Sequence, residues 1–61
     1  MKGKQVIKAL EQAGWVLKGV RGSHHFMTKD GKKVPVPVHG GSDIGTGLLA
    51  KIQKQTGVML K

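Results

Sequence analysis

The most constraining feature of the sequence is the dipeptide Asp30-Gly31, which stands between two segments with the composition of β-strands. Asp-Gly is among the strongest signals for a two-residue β-hairpin loop, because both loop positions need positive φ angles. With these two residues in the loop, the numbers of residues that face each other add to 61. The dipeptide therefore predicts one specific strand register.

The segment after this loop, Lys33-Val34-Pro35-Val36-Pro37-Val38, alternates valine with proline. In the predicted register Pro35 faces Phe26 and Pro37 faces His24, and neither pair exchanges hydrogen bonds. Proline lacks an N–H group and is tolerated at such positions when its strand lies at the edge of a sheet. The prolines thus support the same register and predict an edge strand.

The rest of the chain completes an αβββα order. Apolar residues recur at helical spacing from Lys4 to Ala13, and Gly14 is expected to end this helix. Trp15–Lys18 and Ser23–Lys29 have the composition of the first two strands. Leu48, Leu49 and Ile52 indicate a second helix that ends at Gly57. Two helices covering one face of a three-stranded antiparallel sheet predict a single α+β domain over residues 1–61.

The connection between the third strand and the second helix contains Gly40, Gly41, Gly45 and Gly47. We interpret it as a flexible connector. A phosphate-binding loop is the alternative, although the glycine spacing matches no nucleotide-binding fingerprint. The candidates for capping the second helix are Ser42, Asp43 and Thr46.

Charge and composition limit the classes of function. Eleven Lys and Arg residues against three acidic residues give a net charge of +8, which favours nucleic acid, an anionic membrane surface or an acidic protein as partner. The absence of cysteine excludes disulfides and thiol nucleophiles and fits a reducing cytosol. No segment is long and apolar enough to span a membrane, so we expect a cytoplasmic protein. The dispersed acidic residues argue against a two-metal site, and we expect no metal or other cofactor.

The predicted register assigns the histidines to different faces of the sheet. Met27 and Val36 share a face with His25, and this apolar side is the expected core. His24 then lies on the open face. His39 joins it there, diagonal to His24, if the third strand continues by one more residue. Phe26 is exposed in this arrangement, and a reversed assignment of faces would exchange the roles of His24 and His25.

An exposed histidine surrounded by cations is suited to RNA cleavage. Imidazole exchanges protons near neutral pH, and RNA carries its own nucleophile in the ribose 2′-hydroxyl. Nearby cations would stabilise the charge that develops on the phosphate. The candidate RNA-binding cations are Lys18, Arg21, Lys29, Lys32 and Lys33.

Each candidate also has a simpler interpretation. His24 is alternatively a surface strand residue without chemistry, His25 a half-buried strand residue and His39 a loop residue. The lysines beside Asp30-Gly31 are alternatively a solvated turn that protects an edge strand from aggregation. Trp15 is expected in the core, because a chain with two aromatic residues has few large side chains to bury.

Taken together, Gly22-Ser23-His24-His25-Phe26, Asp30-Gly31-Lys32, the Val34–His39 segment and Leu48-x-x-x-Ile52-x-x-Gln55-x-Gly57 resemble the HicA-type mRNA interferase toxins. The resemblance spans nearly the whole chain and depends on the order and spacing of these segments. It implies a fold like the double-stranded RNA-binding domain. It also implies a metal-independent endoribonuclease that cleaves mRNA and arrests translation and growth as part of a stress response.

In this family the active histidine belongs to a Gly-Ser-His motif, which here is Gly22-Ser23-His24. The resemblance therefore implies that His24 is catalytic, with Ser23 and His39 as candidates for supporting roles. It also implies a cognate HicB antitoxin, an acidic partner that suits a strongly basic chain. The alternatives are a non-catalytic RNA-binding module and an interaction protein whose basic face serves only an acidic partner.

Overall fold

The computed structural model describes residues 1–60. The three strands form one open antiparallel sheet in the order β1-β2-β3. This arrangement confirms the predicted α+β class and αβββα order and is consistent with a fold like the double-stranded RNA-binding domain. Among residues 1–60, no helix has the length and apolar character needed to cross a membrane. The elements are α1 (Gly3–Gln12), β1 (Val16–Arg21), β2 (His24–Lys29), β3 (Lys32–Pro37) and α2 (Thr46–Thr56).

The pairing of β2 with β3 has the predicted register, from Lys29 opposite Lys32 to His24 opposite Pro37. Asp30 and Gly31 have φ angles of 52° and 80°, as a type I′ loop requires. Because bonded and unbonded pairs alternate from this loop, Pro37 falls in an unbonded pair of the edge strand.

The first strand is longer than predicted and begins one residue later. Trp15 precedes β1, and its N–H donates to the carbonyl of Leu10 at 2.9 Å. β1 then continues past Lys18, where the pairing with β2 shifts by one residue. A bulge accommodates this shift, so Gly19 does not end the strand. The loop between β1 and β2 contains only Gly22 and Ser23, and Gly22 has a φ angle of 60°.

The core lies between the two helices and one face of the sheet. Met27 and Val36 are buried on this face, as the register predicts, and Trp15 is also in the core. Of the three residues that predict α2, Leu49 and Ile52 are buried, whereas Leu48 is exposed. Segments beyond the helices contribute instead. The buried apolar residues are Val6, Leu10, Trp15, Met27, Val34, Val36, Ile44, Leu49, Ile52 and Leu60.

The predicted C-terminal cap of α2 is confirmed, whereas the predicted N-terminal cap is wrong. Gly57 has a φ angle of 74° and caps the C-terminus, as predicted. At the N-terminus the cap is Gly45, and no side chain hydrogen-bonds there, so the prediction of Ser42, Asp43 or Thr46 is wrong. The carboxylate of Asp43 instead forms an ion pair with Lys2.

Asp43 connects the glycine-containing segment to the start of the chain. Its Oδ1 lies 3.7 Å from Nζ of Lys2, and the two residues form an isolated β-bridge. The N–H of Ile44 donates to the carbonyl of Met1 at 2.7 Å, and the ammonium of Lys2 contacts the carbonyl of Gly41. These contacts fix the approach to α2 against the residues that precede α1.

A close approach at Gly3 sets the position of α1 on the sheet. A Cβ atom at Gly3 would lie 2.6 Å from the carbonyl oxygen of Pro37 and 2.9 Å from Cα of Val38. Both are backbone atoms, so only glycine allows this contact without displacement of the helix.

We therefore expect Gly3→Ala to lower the free energy of unfolding by about 1–3 kcal/mol, through overpacking against the β3 backbone. Gly47→Ala is the matched control. Gly47 is exposed within α2, and an added Cβ meets nothing within 4 Å. This control should raise the free energy of unfolding by about 0.5–1 kcal/mol. Urea unfolding followed by Trp15 fluorescence measures both, and equal effects of the two substitutions would contradict the close contact.

Candidate active site and basic surface

The open face of the sheet presents a row of side chains from β2. His24 is exposed and Phe26 half-buried on this face, whereas Met27, between Phe26 and Thr28 in sequence, is fully buried on the other. This alternation follows from the two-residue period of a strand. His24 is therefore accessible from solvent at the end of β2 that adjoins the Gly22-Ser23 loop.

Arg21 is the cation that the fold places beside His24. The two residues face each other across β1 and β2 and flank the two-residue loop. Facing residues in an antiparallel pair share a face and lie about 5.5 Å apart at Cα when they exchange hydrogen bonds. Arg21 is exposed, and the neighbour of His24 on β3 is Pro37, which is uncharged. Arg21 is thus the cationic neighbour of His24 on the β1 side.

His39 approaches this region through Ser23. β3 ends at Pro37, although the N–H of Val38 still donates to the carbonyl of Ser23 at 2.7 Å. The chain then turns, with the N–H of Ser42 donating to the carbonyl of His39 at 2.9 Å. In this position Nε2 of His39 lies 3.5 Å from Oγ of Ser23. The three residues with proposed chemistry, His24, Ser23 and His39, therefore lie at one end of the sheet.

His25 lies on the helix-covered face and is half-buried between Val20 on β1 and Val36 on β3. Its Nδ1 atom is buried and has no hydrogen-bond partner among the described residues. This placement is the one that the register predicts for His25. The two adjacent histidines consequently have different environments.

The candidate lysines occupy the opposite end of the sheet. They line a cavity of about 630 Å³ beside the Asp30-Gly31 loop, together with Val16 and Thr28. Five residue steps along β2 separate His24 from Lys29, a distance of about 17 Å in a strand. The fold therefore divides the candidate cations into Arg21 near His24 and a lysine group, which we call the tip lysines. The tip lysines are Lys18, Lys29, Lys32 and Lys33.

Two of the tip lysines make contacts that the sequence analysis did not predict. Nζ of Lys29 donates a hydrogen bond of 2.8 Å to the carbonyl of Ala13, at the C-terminus of α1. Nζ of Lys33 lies 4.9 Å from the centre of the Phe26 ring, within the range of a cation–π contact. Lys29 therefore has a structural role at the helix end, where a cation also interacts favourably with the helix dipole.

The residues that commonly bind metals do not gather in this structure. Within residues 1–60, no three side chains of His, Asp or Glu lie together as a candidate metal site.

Comparison with known proteins identifies one similarity. The family model described as the HicA toxin of bacterial toxin-antitoxin systems matches residues 3–58 of the 61-residue chain. No curated protein and no solved structure matches the chain.

The contact between Lys29 and Ala13 generates a stability prediction. We expect Lys29→Gln to lower the free energy of unfolding by about 0.5–1 kcal/mol, because the last turn of α1 loses a charged hydrogen-bond donor. Lys32→Gln is the matched control, since Lys32 makes no hydrogen bond or ion pair within residues 1–60. Thermal unfolding at low salt compares the two variants. Equal melting temperatures would show that the helix end does not depend on Lys29.

Proposed function

Because the chain belongs to the HicA family of toxins from bacterial toxin-antitoxin systems, we propose that it is an endoribonuclease that cleaves mRNA through His24. The observation that carries this proposal is the exposed imidazole of His24 on the open face of the sheet, with Arg21 opposite it. Cleavage of mRNA would arrest translation and growth. Since bacterial mRNA is translated in the cytoplasm, we expect the protein to act there.

The proposed reaction uses the ribose 2′-hydroxyl as nucleophile. Its oxygen attacks the adjacent phosphorus, the bond from phosphorus to the 5′ oxygen breaks, and a cyclic phosphate remains on the upstream product. His24 accepts the proton from the 2′-hydroxyl, and the departing 5′ oxygen takes up a proton. Because the nucleophile belongs to the substrate, this reaction requires no metal-bound water.

Arg21 and His39 are the proposed supporting groups. The guanidinium of Arg21 would stabilise the additional negative charge on the phosphate oxygens as the 2′ oxygen attacks. His39 is the proposed proton donor for the 5′ oxygen. Its contact with the hydroxyl of Ser23, at 3.5 Å, would orient the ring toward the end of the sheet that carries His24.

The proposed regulator is an acidic antitoxin of the HicB type. A net charge of +8 favours association with a negatively charged protein surface, and charge attraction increases the rate of encounter. An antitoxin that covers the open face would also exclude RNA from His24. One contact surface would then both bind the toxin and inhibit it.

We expect His24→Ala to lower the rate of RNA cleavage by a factor of about 10² to 10⁴, the usual contribution of a proton-transfer residue. The purified protein is incubated with RNA in the presence of EDTA, and the products are separated by gel electrophoresis. His25→Ala is the control, because His25 lies on the covered face. Full cleavage by the His24→Ala variant would refute the proposal.

A second measurement in the same assay distinguishes cleavage from binding alone. RNA with a 2′-deoxy nucleotide at the cleaved position should bind to the protein but resist cleavage, since it lacks the nucleophile. His24→Ala should bind this RNA with nearly unchanged affinity. If the unmodified protein binds normal RNA without cleaving it, the chain is a non-catalytic RNA-binding module instead.

The antitoxin should also stabilise the toxin fold. A partner that binds only the folded state, at a hundredfold excess over its Kd, adds about 2.7 kcal/mol to the free energy of unfolding. For a domain of this size, such a change raises the melting temperature by about 10 °C or more. A thermal scan of the toxin with saturating cognate antitoxin tests this expectation. An unchanged melting temperature would argue against binding to the folded toxin.

A further inference from the structure

The part of the cavity lined by Val16, Lys18, Thr28 and Lys33 opens on the same face of the sheet as His24, whereas Lys29 and Lys32 face each other on the helix-covered side. Val16 faces Thr28 across β1 and β2, and Thr28 faces Lys33 across β2 and β3, so all three side chains share one face. Thr28 is separated from His24 by an even number of residues along β2 and therefore points to the same side. A single ligand on the open face can contact both ends of the sheet.

The cavity is strongly cationic. The tip lysines supply four ammonium groups and Asp30 supplies one carboxylate. Lys29 is engaged with the carbonyl of Ala13, whereas Lys18 and Lys33 have no hydrogen-bond or ion-pair partner among residues 1–60. Lys18 lies at the bulge of β1, the kind of site where a strand re-aims a side chain. An anionic ligand would therefore meet two uncompensated cations here.

Phe26 lies between His24 and the cavity on this face. Its partner on β1 is Gly19, where an added Cβ would meet no atom within 4 Å, so the β1 side of the ring is uncrowded. Its partner on β3 is Pro35, and the ammonium of Lys33 lies 4.9 Å from the ring centre. An aromatic ring beside cations is the combination with which proteins bind single-stranded nucleic acid.

On the basis of the ribonuclease function proposed above, we propose that the tip cavity is a second RNA-binding site that holds a backbone phosphate several nucleotides from the cleaved bond. The distance of about 17 Å along β2 sets this separation. A base between the two sites stacks on Phe26. The substrate is thus a single strand that runs along the open face, and an RNA too short to reach the cavity binds weakly.

The test uses the full chain and two substrates, a dinucleotide and a longer single-stranded RNA that spans both sites. In the double variant Lys18→Gln/Lys33→Gln, KM for the longer RNA should rise about tenfold, with kcat unchanged. The slope of log binding constant against log salt should become shallower by about 1.4, because two phosphate contacts are lost. Cleavage of the dinucleotide should be the same as for the unmodified protein.

Lys51→Gln/Lys54→Gln is the matched control, because it removes the same charge from exposed positions on α2. Its KM for the longer RNA should remain close to that of the unmodified protein. Asp30→Asn tests the opposite direction. Asn-Gly favours the same two-residue hairpin loop as Asp-Gly. The substitution removes the only carboxylate that lines the cavity among the described residues. This variant should lower KM for the longer RNA severalfold.

The outcomes separate this inference from the ribonuclease function. If the unmodified protein cleaves the longer RNA but both double variants change KM equally, the effect is one of net charge and the second site is refuted. An unchanged KM in Lys18→Gln/Lys33→Gln also refutes it and leaves the ribonuclease function intact. Failure of the unmodified protein to cleave either RNA would overturn both proposals.

Discussion

The backbone pairing of β2 with β3 is the interaction on which the rest of the structure depends. A shift of one residue in this pairing would move every side chain of a strand to the opposite face. His24 would then lie under the helices, and Met27 would lose its place in the core. The Asp30-Gly31 loop, the edge position of Pro35 and Pro37, and the apolar side of β3 all favour the observed register. Several local interactions therefore maintain one alignment, and the exposure of His24 follows from it.

The parts of the fold that sequence analysis predicts well are those determined by neighbouring residues. The hairpin register follows from Asp30-Gly31, and the end of α2 follows from the conformational freedom of Gly57. The parts that it misses depend on contacts between distant segments. Asp43 is a plausible helix cap by its position, but it pairs with Lys2 across 41 residues. Burial of Leu60, beyond the last helix, has no periodic signal in the sequence.

The sequence likewise predicts only those parts of the candidate site that depend on neighbouring residues. The strand register places His24 on the open face, and the two-residue Gly22-Ser23 loop places Arg21 opposite it. A Gly-Ser pair between two strand segments is itself a hairpin signal, so this neighbour was accessible to sequence analysis. The distance between the tip lysines and Arg21 is apparent only from the three-dimensional arrangement of β1 and β2. The open face therefore has His24, the proposed proton-transfer group, at one end and the proposed second RNA-binding site at the other.

We propose that RNA reaches the imidazole of His24 on the open face and not that of His25 beneath it. Nuclear magnetic resonance tests this claim directly by following the ring signals of the histidines while RNA with a 2′-deoxy nucleotide at the cleaved position is added. We expect the ring signals of His24 to shift until the RNA saturates the protein, while those of His25 remain nearly constant. Shifts confined to His25, with His24 unaffected, would contradict it.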